Sequence, residues 1–258
     1  MNLTTPILVL LVTGALYFFI GFRLRAKVYA DPSDAFAWRA FRSWWMGMSF
    51  NSLLNALGLL LFSLNVLALP LFMGINFVSS VAAATALWGL LTYLVYVYTG
   101  RNRSWLLAGF YIAFIALLFL LLFLFQPTGV IIGDWQVAME YSNPPVGAPA
   151  FAFALSFILL IGLPPVIASI GMFLLFLRIQ ERSAKYRAGL VSLGIFMLFG
   201  LAIIVPLLLY PFGFRTNQIA WWPLGVRLTG ILALALIYFA YFPPAFVQKW
   251  LKVKTVLA

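Results

Sequence analysis

The sequence predicts an all-α integral membrane protein, a seven-transmembrane-helix bundle with its N-terminus outside and its C-terminus cytoplasmic. Three observations lead there. The 258 residues are 65% hydrophobic and 8% charged, with mean hydropathy +1.09, whereas soluble domains carry roughly 25% charged residues. The apolar residues fall in runs near the ~20 needed to cross a ~30 Å hydrocarbon core, not in the alternating ~10-residue segments of an outer-membrane barrel. The basic residues cluster between these runs on one predicted side of the membrane, as the positive-inside rule requires.

The whole chain, 1–258, reads as a single seven-helix membrane domain. The first span covers residues 4–22 and ends at "FRLRAK". The second covers 44–66, with Pro70 just beyond it, and the third 77–99. The fourth covers 105–125 and stops at Gln126-Pro127. The fifth covers 151–177, the sixth 190–209 and the seventh 222–242. The turn between the second and third spans, "NVLALPLFMGIN", has no charge, so only proline, glycine and asparagine punctuate it. Fusing these two spans gives six.

Charge decides between six and seven. With seven, four segments face the cytoplasm. They carry Arg23, Arg25, Lys27, Arg39 and Arg42; Arg101 and Arg103; Arg178, Arg182, Lys185 and Arg187; and Lys249, Lys252 and Lys254. That is fourteen of the sixteen basic residues, leaving Arg215 and Arg227 outside. Fusion would move two of the four basic segments outside, against the rule. The opening "MNLTTPILVLL" has no basic residue before its apolar run, so it predicts a reverse anchor and not a cleaved signal peptide. The expected location is the cell (inner, cytoplasmic) membrane, multi-pass.

The predicted outer loop, 126–150, holds Asp134, Trp135, Glu140 and Tyr141 among prolines and glycines. A short strand or hairpin is expected near 130–140.

Absences exclude several chemistries. The chain has no cysteine and no histidine, which removes thiol nucleophiles, imidazole bases and ordinary zinc or haem ligation. All five acidic residues, Asp31, Asp34, Asp134, Glu140 and Glu181, are read as loop residues. No span holds a central Asp, Glu or Lys of the kind ion-coupled transport requires. No paired aspartates or Ser–His pair for proteolysis, and no lysine for a retinal Schiff base, is available. No cofactor is expected, and the chain is expected not to be an enzyme. The net charge of +11 is read as loop orientation and lipid contact, with no nucleic acid partner.

Polar and irregular positions inside the spans are the remaining candidates. Asn51, Asn55, Gly58 and Asn65 recur on one face of the second span, as a helix-packing stripe or a polar ligand pocket. Pro164-Pro165 should kink or unwind the fifth span, as a static bend or as a hinge, with Ser156 and Ser169 available to freed carbonyls. Pro206 offers a comparable break in the sixth. The segment "RIQERSAKYRAG" reads as a basic helical extension with Glu181 and Lys185 at i,i+4. Its Arg178, Arg182, Lys185 and Arg187 would lie on anionic lipid or contact a membrane or cytoplasmic protein. Trp44, Trp45, Trp105, Trp221 and Trp222 fall at expected interfaces and read as depth anchors, while Trp88 lies deeper.

Arg227 lies five residues beyond Trp222, about 7.5 Å deeper at about 1.5 Å per residue, within reach of snorkelling. It would pair with Asp134 or Glu140, reach the interface, or bind an anionic ligand.

"LWGLLTYLVYVYTGRNR" (87–103), "AKYRAGLVSLGIFMLFGLAI" (184–203) and "YFAYFPPAFVQKWLK" (238–252) resemble parts of the seven-transmembrane-helix sensory input region of bacterial and archaeal histidine kinases. The order of spans and the long outer loop are similar too. The resemblance implies a sensor. The chain stops at Ala258 without a kinase or cyclase segment, so a stand-alone sensor is expected.

The functional expectation is a non-enzymatic, receptor-like protein that binds a small or lipidic ligand near the outer face and relays to the cytoplasmic loops. Its binding residues would be Arg227, Arg215, Trp135, Tyr141, Tyr210, Trp221, Trp222, Asn51 and Asn55, with Pro164, Pro165 and Pro206 as hinges. Membrane lipids are its expected partners. The alternatives are a structural or assembly subunit of a membrane complex and a small passive transporter.

Overall fold

The computed structural model describes residues 4–26, 32–124, 127–132, 137–141, 155–156, 158–205, 208 and 222–251. Contacts divide the chain into two compact units. One is Met1–Tyr93 with Asn102–Pro149, the other Leu94–Arg101 with Ala150–Ala258.

The first unit opens with α1 (Thr4–Arg23), continued by a 3-10 turn at Leu24–Ala26. Helix α2 is Pro32–Ser63 and α3 is Leu69–Thr99, each longer than its predicted span. Asp34, Arg39 and Arg42, expected in a loop, are therefore helical. The proline at the start of α2 supplies a pre-set φ and lacks only an N–H that would go unused there. The following "AFAWRAFR" is rich in good helix formers. Hydropathy alone misses this turn because its charges mask it.

Helix α2 ends in a Schellman motif. The Val66 N–H donates to the Leu61 carbonyl at 3.0 Å and the Asn65 N–H to that of Phe62 at 3.1 Å. Asn65 has φ 56°, the left-handed conformation that this cap requires and that asparagine tolerates. Asn65 is thus a turn residue and leaves the predicted polar stripe. Pro70 sits in the first turn of α3, where proline is tolerated. Helix α4 is Ser104–Leu124. The turn before it closes with Gly100 at φ 66°, its N–H donating to Tyr96 O at 2.8 Å.

The expected hairpin is present and extends past its predicted bounds. Strands β1 (Pro127–Ile132) and β2 (Val137–Tyr141) pair antiparallel, with Ile132 opposite Val137 and Gly129 opposite Glu140.

The second unit holds a π-helical turn, π1 (Ile158–Gly162), running into α5 (Leu163–Arg178). Helix α6 (Arg182–Ile195) runs into a longer π segment, π2 (Phe196–Ile204). Helices α7 (Trp222–Tyr241) and α8 (Ala245–Leu251) follow.

Among the described residues four helices are long and apolar enough to cross a membrane: Pro6–Arg23, Ala35–Ser63, Leu69–Thr99 and Arg182–Leu201. A fifth is added when Leu228–Tyr241 and Ala245–Leu251, bent by 51°, count as one span. Ser104–Leu117 and Leu163–Arg178 are shorter apolar helices. The chain is therefore a helical protein with helices suited to a membrane.

The core of the first unit is tight. A Cβ at Gly89 on α3 would lie 2.5 Å from the Ala40 carbonyl oxygen on α2, and one at Gly47 would lie 2.8 Å from Ala86 Cβ. Small residues at such crossings bring backbones close where lipid offers no hydrophobic drive. Around this crossing Tyr17, Trp38, Phe41, Trp44, Trp45 and Tyr93 are buried together. Phe41 stacks on Tyr93 with centroids 4.4 Å apart, and Trp38 Nε1 donates to Leu24 O at 3.0 Å. Trp44 and Trp45, expected as interface anchors, are 1% and 0% exposed. They are buried because Tyr17 of α1 and Phe41 pack against both rings. Trp105 is exposed, and Trp88 donates to Ser104 O at 3.3 Å.

Candidate functional site

The predicted outer binding set is described only in part. Trp135, Tyr210, Arg215, Trp221 and the proposed hinge Pro206 lie outside the described residues. Arg227 and Trp222 belong to α7, and Tyr141 pairs opposite Pro127 in the hairpin; their side chains lie outside the described part as well. Asp134 is outside it too.

Asn51 and Asn55 join helices. Asn51 Nδ2 donates to Ser79 O at 2.8 Å and reaches Ser79 Oγ at 3.2 Å; Asn76 Nδ2 donates to Asn55 Oδ1 at 3.3 Å. Gly58 completes this face, since a Cβ there would meet Ile75 Cγ2 at 3.0 Å. These three residues seam α2 to α3.

Pro164 and Pro165 lie in the first turn of α5, directly after π1. In a continuous α-helix the carbonyls of residues 160 and 161 would accept from 164 and 165, which have no N–H. The preceding turn is π-helical instead, which is the local unwinding the sequence predicts. The second π segment ends two residues before Pro206 in the sequence. The two irregular turns meet: a Cβ at Gly162 would lie 2.6 Å from Ile204 Cγ1. Short π segments in helices are frequent at functional sites.

Ser169, expected to serve the freed carbonyls, bonds elsewhere. Its Oγ donates to Ser192 O at 2.7 Å, and Ser192 Oγ donates to Ser169 O at 2.8 Å. This reciprocal pair ties α5 to α6 and consumes its own polar atoms in a buried place.

Above that pair lies a groove of about 550 Å³ between α5 and α6. Phe173 and Phe176 form the α5 wall, and Tyr186 and Leu193 the α6 wall, which Phe196 continues into π2. The volume falls within the ~300–1,000 Å³ typical of small-molecule sites. Gly189 makes room in it, since a Cβ there would lie 3.0 Å from Phe176 Cδ2. Phe196 both lines the groove and begins π2, and its ring lies 3.2 Å from where a Cβ on Gly200 would be. The groove wall is thus continuous with irregular backbone.

At the end of the groove lies the turn between α5 and α6. The expected Glu181–Lys185 ion pair does not form. The Glu181 carboxylate accepts from Ser183 Oγ, and Lys185 Nζ lies 5.2 Å over the Phe176 ring. Arg178 and Arg182 are exposed. Arg187 turns toward α7, with Cζ 5.7 Å from the Tyr241 ring, and its buried Nε has no hydrogen-bond partner among the described residues. No group of three potential metal-ligating residues occurs among the described residues.

Comparison with protein-family models, curated proteins and solved structures finds no match. Sequence reasoning missed the groove. Its only trace in sequence is the spacing of Tyr186, Gly189, Leu193 and Phe196 on one helix face.

Proposed function

We propose that the protein is a non-enzymatic, seven-helix membrane protein of sensor type, multi-pass in the cell membrane with its N-terminus outside. Its ligand is apolar or lipidic and occupies the α5–α6 groove. Movement of the groove wall is relayed through π1 and π2 to the cytoplasmic turn at residues 178–187. One observation supports this reading above the others: a large apolar groove whose wall residue Phe196 opens a π segment. A ligand that displaces Phe196 acts directly on a helix turn already short of regular hydrogen bonding. This moves the expected ligand site from the outer face to the cytoplasmic half of the bundle.

Thermal unfolding of the detergent-solubilised protein against a panel of lipids and apolar compounds tests it. The parent should be stabilised by at least one of them. Leu193→Trp, which fills the groove from an exposed position, should abolish that shift, and Arg227→Ala should keep it. The reverse pattern assigns the ligand to the outer set around Arg227. No shift with any compound defeats the receptor reading and favours a structural subunit.

A further inference from the structure

The groove has a chemical polarity along its length. Arg182, Lys185, Gly189, Leu193 and Phe196 succeed one another at spacings of three or four residues, and Tyr186 lies three before Gly189, so they share one broad face of α6 and of the first residue of π2. Tyr186, Gly189, Leu193 and Phe196 line the groove together with Tyr186's neighbours on α5, and Arg182 and Lys185 continue the same face beyond its end. The sequence of chemistry along that face is cation, phenol, then apolar wall.

Two features set Lys185 apart from an ordinary surface lysine. Its nearest acid, Glu181, is bonded to Ser183. Its ammonium rests on Phe176, itself a groove wall. A cation on a partly exposed ring is weakly held and is available to a stronger partner arriving in the groove. Below it, Ser169 and Ser192 satisfy each other, so the groove floor asks for no polar group. The lining residues Ile170, Phe173, Leu193 and Phe196 are exposed along the groove mouth. In a helix of membrane-crossing length that mouth faces acyl chains, not water.

We infer that the groove retains an anionic phospholipid of the bilayer, its tail along Phe173 and Leu193 and its phosphate at Arg182 and Lys185. This rests on the reading of the groove as the ligand site. A zwitterionic lipid such as phosphatidylcholine fills the apolar part equally well, but its own choline offsets the phosphate charge that the two aligned cations would meet in an anionic lipid. Arg178 provides an internal control: it is equally close in sequence to the turn and exposed, but it lies two residues beyond Phe176 and so on a different face of α5.

The experiment is native mass spectrometry of the full chain released from nanodiscs of equal phosphatidylglycerol and phosphatidylcholine with matched acyl chains. The parent should retain phosphatidylglycerol at least about fivefold over phosphatidylcholine, the preference one basic side chain confers near an anionic headgroup. The double variant Arg182→Gln/Lys185→Gln should bring the ratio near one, and Arg178→Gln should leave it at the parent value. Equal retention by the parent overturns the inference, as does an Arg178→Gln effect as large as that of the double variant, which would indicate surface charge alone. Leu193→Trp separates the two levels. Loss of both lipids in that variant upholds the groove whatever the headgroup ratio, and unchanged retention of both defeats the groove reading itself.

Discussion

The α1–α2–α3 crossing and the α5–α6 pair are both made of apolar helices, but they handle contact differently. In the first, glycines admit backbone to backbone, and six aromatic rings fill the surrounding space. In the second, one reciprocal serine pair fixes the helices at a single level. Alongside it Phe173, Phe176, Tyr186 and Phe196 line the open groove. Regular α-helix runs through the first region, whereas each helix of the second carries a π segment. In a bilayer, where lipid solvates the separated helices, packing quality is most of what holds a pair together. On the proposed reading the first region is scaffold and the second the part that takes a ligand and moves.

Mutations that shrink or crowd matched positions should widen that contrast. Phe41→Ala in the aromatic core should lower unfolding free energy by about 3 kcal/mol, the lower range for deleting a buried phenylalanine. Phe173→Ala in the groove wall should lower it by less than about 1 kcal/mol, because the space it vacates is already open. Reversible unfolding in mixed micelles measures both, and equal costs would erase the distinction. Crowding comes next. Gly89→Leu should cost about 2–3 kcal/mol, since its Cβ would meet the rigid Ala40 carbonyl. Gly189→Ala meets only the Phe176 ring, which has the groove to move into, and should cost a small fraction of that.

Smaller effects belong to the polar seams. Asn51→Ala, which removes the amide bonded to Ser79, should cost about 0.6 kcal/mol and no more than about 1.7 kcal/mol, the range for interhelical hydrogen bonds in membranes. Ser169→Ala should cost a similar amount, because Ser192 Oγ keeps its bond to the Ser169 carbonyl. A Ser169→Ala cost well above that range would mean that the pair holds α5 to α6 more firmly than its geometry indicates.

The sequence disclosed its membrane character, most helix positions and the break at Pro164-Pro165, because hydropathy and missing N–H groups act locally. It misplaced the start of α2, where Asp34, Arg39 and Arg42 look like loop. Trp44 and Trp45, read as exposed depth anchors, are instead buried in the protein core, since belts and buried cores use the same aromatic residues. Asn65 matched a helical spacing yet serves a cap, because spacing cannot register where a helix ends. The groove was illegible for a different reason. It is a gap between two helices, and its shape depends on where Phe173 and Phe176 turn, which periodicity does not encode.

Hydrogen–deuterium exchange of the protein in nanodiscs tests the contrast between scaffold and receptive region most directly. The amides of 158–162 and 196–204 should exchange faster than those of 40–50 and 84–93 in nanodiscs of phosphatidylcholine alone. Adding phosphatidylglycerol should slow the first pair selectively in the parent and leave them unchanged in Leu193→Trp. Uniformly slow exchange in both regions, or equal slowing in the parent and in Leu193→Trp, would contradict the account.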